Sequence, residues 1–253
     1  MNYSICIDAL FPKQNIKTSL SEVKKCGYSA IEFWSWWDKD IPAIIETCSL
    51  LQLSVAAFST RMDINPGNPA NLDAYLKGLK DSIKTAKQLN CNTIITQAGR
   101  TIEGIPFDLH RKSLIQALQN AVPILENAGI TLVIEPLNVN VDHPDYHLVF
   151  SRDAFSIVQN IKSPYIKILY DIYHQQISEG NITQIILENI EHIGHFHIAA
   201  VPGRVEPCNG ELNYPYIIEK IKESGYSGYI GLEYMPKRNA VETLKETHLL
   251  LPR

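Results

Sequence analysis

Short apolar runs alternate along the chain with longer segments of helical periodicity. The apolar runs predict eight strands, near residues 4–10, 30–34, 53–59, 93–99, 131–137, 166–172, 193–199 and 229–234. Between the strands, residues 70–90 and 107–128 repeat leucine, isoleucine and alanine along one stripe, as an amphipathic helix does. Gly27, Gly129 and Gly225 each follow a helical pattern just before a strand, where a helix C-terminus favours glycine. Strands that alternate with helices predict a parallel sheet of the α/β class.

The length of the chain indicates how such a sheet closes. Eight strand–helix repeats within 253 residues, with 45% hydrophobic content, are typical of a (β/α)8 barrel, the TIM barrel. No linker, low-complexity stretch or block of like charge interrupts the order of the elements. We therefore predict a single barrel domain over residues 1–253.

Four predicted strands in the second half end on a side chain that can bind a metal. They are Glu135 in TLVIEPLN, Asp171 in IKILYDIYH, His197 in HIGHFHIA and Glu233 in YIGLEYMP. Any one of them alone is more typical of a helix cap or of a pair with a surface lysine. The four are separated by 36, 26 and 36 residues, close to the length of a strand–helix unit. Because the carboxyl ends of barrel strands share one face, we expect the four side chains to converge there.

This set of donors indicates the kind of ion and of chemistry. Three carboxylates and one imidazole favour Mn²⁺, Mg²⁺ or Co²⁺ over an ion that prefers thiolates, so we predict one divalent metal ion as cofactor. A divalent ion activates a substrate with adjacent carbonyl and hydroxyl oxygens, because it stabilises the enediolate that forms when a C–H proton is removed. Glu135 and Glu233 are the predicted catalytic residues, since a ligating carboxylate can keep one oxygen for proton transfer.

Loops after three predicted strands supply candidates for substrate binding. Trp34 is the first of three tryptophans in FWSWWD, and core packing and a place in the pocket wall are equally open for this trio. His174 follows Asp171 by three residues and is predicted to face the same cavity, although a lone histidine is more often a structural residue. The loop AAVPGRVEPCNGELNYP carries Arg204 and Glu206 ahead of a helix that starts near residue 214. Arg204 is either a surface charge or, as we expect, a residue that binds a substrate carboxylate through two hydrogen bonds. Glu206 is predicted to contact the substrate beside it.

Composition indicates which classes of partner and which cellular compartment to expect. The formal net charge is −4, and no cluster of lysine and arginine supplies the field that nucleic acids need. No run reaches the roughly 18 apolar residues of a membrane span, and the N-terminus lacks the pattern of a secretory signal. The odd number of scattered cysteines is typical of reduced thiols in the cytoplasm: Cys6, Cys26, Cys48, Cys91 and Cys208. We expect a cytoplasmic protein that binds a small-molecule substrate, without nucleic acid or membrane, and a homo-oligomer stays open.

Three segments of the second half carry a resemblance to a known family. They are LVIEPLNVNVDHPDYHL, LYDIYHQQISEGN and HFHIAAVPGRVEPCNGELNYPYIIEKIKESGYSGYIGLEYMP. They resemble the fifth-strand, sixth-strand and C-terminal segments of hydroxypyruvate isomerases, and the likeness is strongest from residue 130 onward. That family belongs to the xylose isomerase-like TIM barrels, which also include ketose 3-epimerases and an AP endonuclease branch. The resemblance places His174 and Arg204 at substrate-contacting positions, and it places the metal positions at Glu135, Asp171, His197 and Glu233.

Two departures distinguish this chain from the other branches. Ketose 3-epimerases usually carry a second acid shortly after the EPxN segment, where Val141 stands here. The AP endonuclease branch needs further histidine and aspartate ligands for three zinc ions, and the segment after His197 offers Arg204 and Glu206 instead. The resemblance therefore implies a metal-dependent isomerase of carbohydrate metabolism that converts a small hydroxy-oxo acid or sugar, with hydroxypyruvate to tartronate semialdehyde as the reaction. A ketose 3-epimerase and a non-catalytic barrel that binds a metal or a sugar stay open as alternatives.

Overall fold

The computed structural model describes residues 1–252 and forms a closed barrel. Each strand is parallel to both of its neighbours, and the last strand pairs with the first to complete the ring. Among the described residues, strands β1 to β8 are Asn2–Cys6, Ala30–Phe33, Ser54–Ser59, Thr93–Gln97, Thr131–Glu135, Ile166–Asp171, Ile193–Ile198 and Tyr229–Leu232. The predicted (β/α)8 barrel is confirmed.

Helices connect the strands in sequence order. Within residues 1–252, helices α1 to α10 are Ile7–Leu10, Ile16–Lys25, Ile41–Leu51, Leu72–Gln88, Phe107–Ala128, Ser151–Ile161, Ile172–Ser178, Ile182–Asn189, Tyr214–Glu223 and Ala240–Leu250. The helical patterns at 70–90 and 107–128 are confirmed as α4 and α5. Gly129 ends α5 with a φ of 67°, a conformation that glycine adopts without strain. Across the described part of the chain, none of the helices combines the length and the apolar character that a membrane crossing needs.

The first strand is shorter than its apolar run predicted. A strand was expected through residue 10, but β1 ends at Cys6 and the chain turns directly into α1. The ladder between β1 and β2 ends at the pair of Cys6 with Glu32. Ile7, Ala9 and Leu10 are buried in a helical turn at the end of the barrel instead. The prediction was wrong because an apolar run indicates only that its residues are buried. A buried helical turn has the same apolar composition as a buried strand.

Two sets of side chains fill the barrel interior. One is a separate apolar cluster from β3 to β6, formed by Ala57, Ile95, Val133 and Leu169. The other is polar and comes from β1, β2 and β7, namely Ser4, Glu32, His195 and His197. Strand side chains alternate between two faces, so the residue two positions beyond an interior residue also points inward. Gln97, Glu135 and Asp171 each lie two positions beyond a member of the apolar cluster, at the C-terminal end of the barrel.

Candidate metal centre

Four buried side chains meet at the C-terminal end of the barrel. Glu135 ends β5, Asp171 ends β6, His197 lies one residue before the end of β7, and Glu233 directly follows β8. Ligand atoms of these four residues lie within 4.8 Å of one another. The structure thus brings the four predicted ligands together, and their binding of a metal stays a prediction.

The donor set of this cluster fits a divalent cation. Nδ1 of His197 lies 3.4 Å from Glu233 Oε2 and 3.7 Å from Glu135 Oε1, and it has no hydrogen-bond partner in residues 1–252. Burial, supported by the charges of Glu135 and Glu233, raises the pKa of Asp171. Buried carboxylates with oxygens within 4.8 Å of one another repel each other, and a buried nitrogen without a partner is costly. A divalent ion would offset both penalties, so these four residues are the ones that would hold it.

The two predicted proton carriers have different surroundings. Glu233 accepts hydrogen bonds from the indole N–H of Trp34 and from the guanidinium of Arg204. Burial raises the pKa of Glu233, but the nearby positive charges, chiefly that of Arg204, outweigh it and hold the pKa well below its ordinary value. Glu135 has a weaker partner, since the amide nitrogen of Gln97 lies 3.4 Å from its Oε2. Glu233 is therefore firmly held, whereas the carboxylate of Glu135 is less restrained.

Arg204 is a largely buried cation. Besides pairing with Glu233, its guanidinium lies 5.4 Å from the ring centre of Tyr173 and 3.9 Å from Asp142 Oδ1. Burial lowers the pKa of Arg204, but the surrounding carboxylates, first Glu233, raise it above its ordinary value, so the side chain stays charged. Its backbone φ of 53° lies in the left-handed region, which is uncommon for residues other than glycine. The loop after β7 thus delivers a fixed positive charge to the acidic cluster.

His174 lies behind the cavity wall. Its side chain is fully buried, with Nδ1 2.6 Å from Asn138 Nδ2 and Nε2 3.5 Å from Asp171 Oδ2. Asp171 caps α7 by accepting the backbone N–H of Tyr173 at 2.8 Å and that of His174 at 3.3 Å. Burial, followed by the charge of Arg204, lowers the pKa of His174 well below its ordinary value, so the ring is neutral. The structure links His174 to Asn138 and Asp171, and the substrate contact predicted for it stays a prediction.

A cavity of about 230 Å³ opens beside the four-residue cluster. Its apolar lining comprises Cys6, Phe33, Trp34, Met62, Ile95 and Leu137. Its polar lining comprises Glu32, Ser59, Gln97, Glu135, His143, Tyr146, His197, Arg204 and Glu233. Pockets for drug-sized ligands typically measure about 300–1,000 Å³, so this cavity fits a smaller molecule.

The three tryptophans of FWSWWD have different environments. Trp34 lines the cavity, as one of the two open interpretations expected. Trp36 donates its indole N–H to Ser82 Oγ at 3.1 Å, and the Arg61 guanidinium lies 5.2 Å from the ring centre of Trp37. Trp36 and Trp37 therefore fasten the loop after β2 to Ser82 and Arg61. Trp34 is the member of the trio that faces the cavity.

Glu206 lies outside the cavity lining. Its buried carboxylate accepts the backbone N–H of Lys237 at 3.0 Å, which ties the loop after β7 to the loop after β8. The observed contact is structural, and the substrate contact predicted for Glu206 stays a prediction.

Several residues around the site were not predicted from the sequence. Glu32 reaches the cavity from β2, and the available signal was a charged residue inside the apolar run AIEF. Burial raises the pKa of Glu32, but the imidazoles of His197 and His195 outweigh it and lower the pKa to about 2. His143 and Tyr146 line the cavity from the long segment after β5, in which no regular period marks the inward positions.

Comparisons with known proteins agree with this fold. A family model described as xylose isomerase-like TIM barrel matches residues 20–251. The 2-oxo-tetronate isomerase of Pectobacterium atrosepticum is 32% identical over 222 residues, which cover 83% of each chain. The hydroxypyruvate isomerase of Escherichia coli (strain K12) is 29% identical over 248 residues, which cover 94% of each chain. The crystal structure of an AP endonuclease, family 2, from Brucella melitensis has a TM-score of 0.93, is 25% identical and covers 99% of both chains. Because the family model spans nearly the whole sequence, the chain belongs to the xylose isomerase-like TIM barrel family.

Proposed function

We propose that this protein is a metal-dependent isomerase of a small hydroxy-oxo acid, with the conversion of hydroxypyruvate to tartronate semialdehyde as its reaction. The observation that carries the proposal is the meeting of four ligand-type side chains, a largely buried arginine and a small cavity at one end of the barrel. The names of two relatives support the same class, because hydroxypyruvate and 2-oxo-tetronate are both hydroxylated 2-oxo acids.

The metal site is the first part of the proposal. Glu135, Asp171, His197 and Glu233 would hold one divalent ion, and their mostly oxygen donors favour Mn²⁺, Mg²⁺ or Co²⁺. When bound, such an ion supplies Lewis-acid stabilisation of the negative charge that develops on two adjacent substrate oxygens. The protein's own side chains carry the remaining tasks of binding, orientation and proton transfer.

Arg204 and the apolar lining account for binding. A 2-oxo acid brings a carboxylate, and the guanidinium of Arg204 provides two parallel N–H donors that match it. Trp34 and Leu137 line the same cavity and exclude water from the reacting carbons. Arg204 lies next to Glu233 of the acidic cluster, so it would hold the carboxylate of a three- or four-carbon acid beside the proposed metal site.

Glu135 and Glu233 account for proton transfer. They come from β5 and from the end of β8, so the two carboxylates approach the cavity from different sides of the barrel. We assign removal of the C3 proton of hydroxypyruvate to one of them and return of a proton to C2 to the other. The C3–H electron pair becomes a C2–C3 double bond. Protonation of C2 and movement of the hydroxyl proton from O3 to O2 then give the aldehyde with all atoms conserved.

Solvent deuterium locates the reacting carbon. The enzyme loaded with Mn²⁺ is incubated in D₂O with hydroxypyruvate, with 2-oxo-tetronate and with a panel of ketopentoses and ketohexoses. Mn²⁺ is then removed, and the products are read by NMR. We expect deuterium at C2 of the product from an oxo acid, since this carbon was the carbonyl of the substrate. Glu135→Gln and Glu233→Gln should each lower exchange by about 10²–10⁴-fold, the usual contribution of general acid–base catalysis.

The same experiment distinguishes the alternatives. Deuterium at C3 of a ketose with inversion, together with no turnover of the oxo acids, would identify a ketose 3-epimerase. No exchange with any compound would favour a barrel that binds a metal or sugar without turnover. Val141 weighs against the epimerase, because it stands where ketose 3-epimerases usually carry a second acid. The surface variant Glu46→Gln is the control for both glutamate substitutions, since Glu46 is exposed and pairs with Lys17 on the outside of the barrel.

A further inference from the structure

A fourth buried acid lies next to the candidate metal centre. Glu32 points into the barrel from β2, is 2% exposed and accepts a hydrogen bond at 2.8 Å from the Ser4 hydroxyl on β1. A buried carboxylate is destabilising unless polar or charged partners surround it. The partners of Glu32 therefore indicate its role. Besides Ser4, these partners are two histidines of β7, His195 and His197.

Glu32 connects these two imidazoles. Nε2 of His195 lies 2.9 Å from Oε2 of Glu32, and Nε2 of His197 lies 2.9 Å from Oε1. His195 and His197 are two residues apart on one strand, so they point to the same face and one carboxylate reaches both. Glu32 Oε1 and His197 Nε2 are close, but their geometry is not that of a hydrogen bond, so the interaction between them is electrostatic. A carboxylate at this distance attracts an N–H and repels a nitrogen lone pair.

The opposite nitrogen of His197 faces the metal cluster. Its Nδ1 lies 3.4 Å from Glu233 Oε2 and 3.7 Å from Glu135 Oε1. A neutral imidazole has one N–H and one lone pair, and only the lone pair binds a metal. Because Glu32 favours the proton on Nε2, it leaves the lone pair on Nδ1, directed at the cluster.

Gly231 on β8 leaves room for this arrangement. It pairs with His197 across the β7–β8 ladder. A Cβ atom at position 231 would lie 2.6 Å from Glu32 Oε2 and 2.7 Å from His197 Cδ2, which is closer than real Cβ contacts. A side chain here would separate the acid from the imidazole, so the glycine is needed where the two side chains approach the strand.

We propose that Glu32 is a positioning residue that holds His197 in the tautomer with hydrogen on Nε2, and that it thereby raises the affinity of the cluster for its divalent ion. The proposal rests on the metal site of the proposed function. It adds that the affinity depends on a residue that is not itself a ligand, as partners of ligating histidines commonly affect metal binding.

Metal affinity is the first test. Mn²⁺ binding to the wild-type chain and to Glu32→Gln is measured by calorimetry, and we expect a Kd about 10- to 100-fold higher for the variant. Glu46→Gln makes the same chemical change on the surface and should bind Mn²⁺ like the wild type. Gly231→Ala keeps Glu32 but crowds it, so it should weaken binding in the same direction. Thermal melting of the metal-free proteins shows whether each variant is folded before its affinity is compared.

A measurement on the unaltered chain keeps the proposal testable if the variants do not fold. In the metal-free protein with the His197 imidazole neutral, ¹H–¹⁵N spectra should show the proton of His197 on Nε2, since no bound ion then fixes the tautomer. A proton on Nδ1 would overturn the proposal, and so would wild-type Mn²⁺ affinity in folded Glu32→Gln. A wild-type chain that binds no divalent ion would overturn both this inference and the proposed function.

The stoichiometry excludes one competing interpretation. Glu32, His195 and His197 also offer ligand atoms within 4.8 Å of one another. If they bound an ion of their own, the wild type would take up two ions per chain, and Glu32→Gln would lose one of them completely. That result would make Glu32 a ligand and overturn its positioning role. One ion per chain with a raised Kd in the variant supports the proposal.

Discussion

The guanidinium of Arg204 donates a hydrogen bond to the carboxylate of Glu233 in the lining of the cavity. The cation proposed to bind the substrate is therefore already paired with a proposed proton carrier. A substrate carboxylate that binds Arg204 replaces one anionic partner with another. That exchange depends on the planar fork of a guanidinium, which offers two parallel donors.

Arg204→Lys should therefore impair acids more than neutral sugars. An ammonium group cannot reproduce the two-point contact, so we expect KM for hydroxypyruvate to rise about 10-fold, equivalent to about 1.4 kcal/mol, with a smaller change for a neutral ketose. Steady-state kinetics on both substrate types measures the difference. Arg238→Lys is the matched control, because Arg238 pairs with Glu246 on the surface. Equal effects on both substrate types would contradict a carboxylate role for Arg204.

Removal of the metal should abolish activity. The four-residue cluster predicts one divalent ion per chain, and its chemistry cannot be supplied by the glutamates alone. Elemental analysis should find the ion in the purified protein. EDTA treatment should remove both the ion and turnover, and added Mn²⁺ should restore both. Full activity in a sample shown to be free of metal would refute the prediction.

Asp171→Asn should weaken metal binding without unfolding the barrel. The substitution removes one of three ligand charges, while the amide oxygen can still accept the N–H of Tyr173 that caps α7. We expect Kd for Mn²⁺ to rise by at least about 10-fold. Loss of a residue that only contacts a metal ligand typically lowers metal affinity by about 10- to 100-fold, and loss of a ligand charge should have at least the smaller of these effects. Calorimetry measures the affinity, and circular dichroism measures the fold. The exposed Asp145→Asn serves as the control and should match the wild type.

His174→Gln should lower kcat/KM while bound metal stays near one ion per chain. His174 is buried against Asn138, in the loop that follows Glu135, so its loss disturbs the wall of the cavity and leaves the ligand set intact. Kinetics and elemental analysis are carried out on the same preparation. If the ion is lost together with activity, His174 is a ligand and the assignment of the four ligands needs revision.

Tyr214→Phe should destabilise the fold. The buried Tyr214 hydroxyl donates to Ala199 O at 2.6 Å and accepts from Ala199 N at 3.3 Å, which fastens α9 to the end of β7. Its removal leaves two buried backbone groups unpaired, at a cost of about 1–3 kcal/mol in the free energy of unfolding. Urea denaturation at a fixed metal concentration measures the change. Tyr216→Phe, two positions away and half exposed, should change stability by less than about 0.5 kcal/mol.

Much of the barrel follows from patterns within short stretches of sequence. The stripes at 70–90 and 107–128 became α4 and α5, because a period of 3.6 residues is a property of neighbouring positions. Glu135 and Asp171 were identifiable for a similar reason, since each closes an apolar run at a strand end. The run at 4–10 shows the limit of such patterns. Its apolar residues are buried, as the pattern indicates. Whether they form a strand or a helical turn depended on where the neighbouring strand ends.

The tertiary structure alone decided which side chains touch. Glu32 and His195 are 163 residues apart and meet only because β2 and β7 enclose the same barrel interior. Likewise, the position of Trp34 in the cavity lining, and of His174 behind it, depends on how loops from different strands pack. Local sequence determines the period of each element and the face that it buries. The contacts across the barrel depend on strand register and closure, which no short segment of the chain encodes by itself.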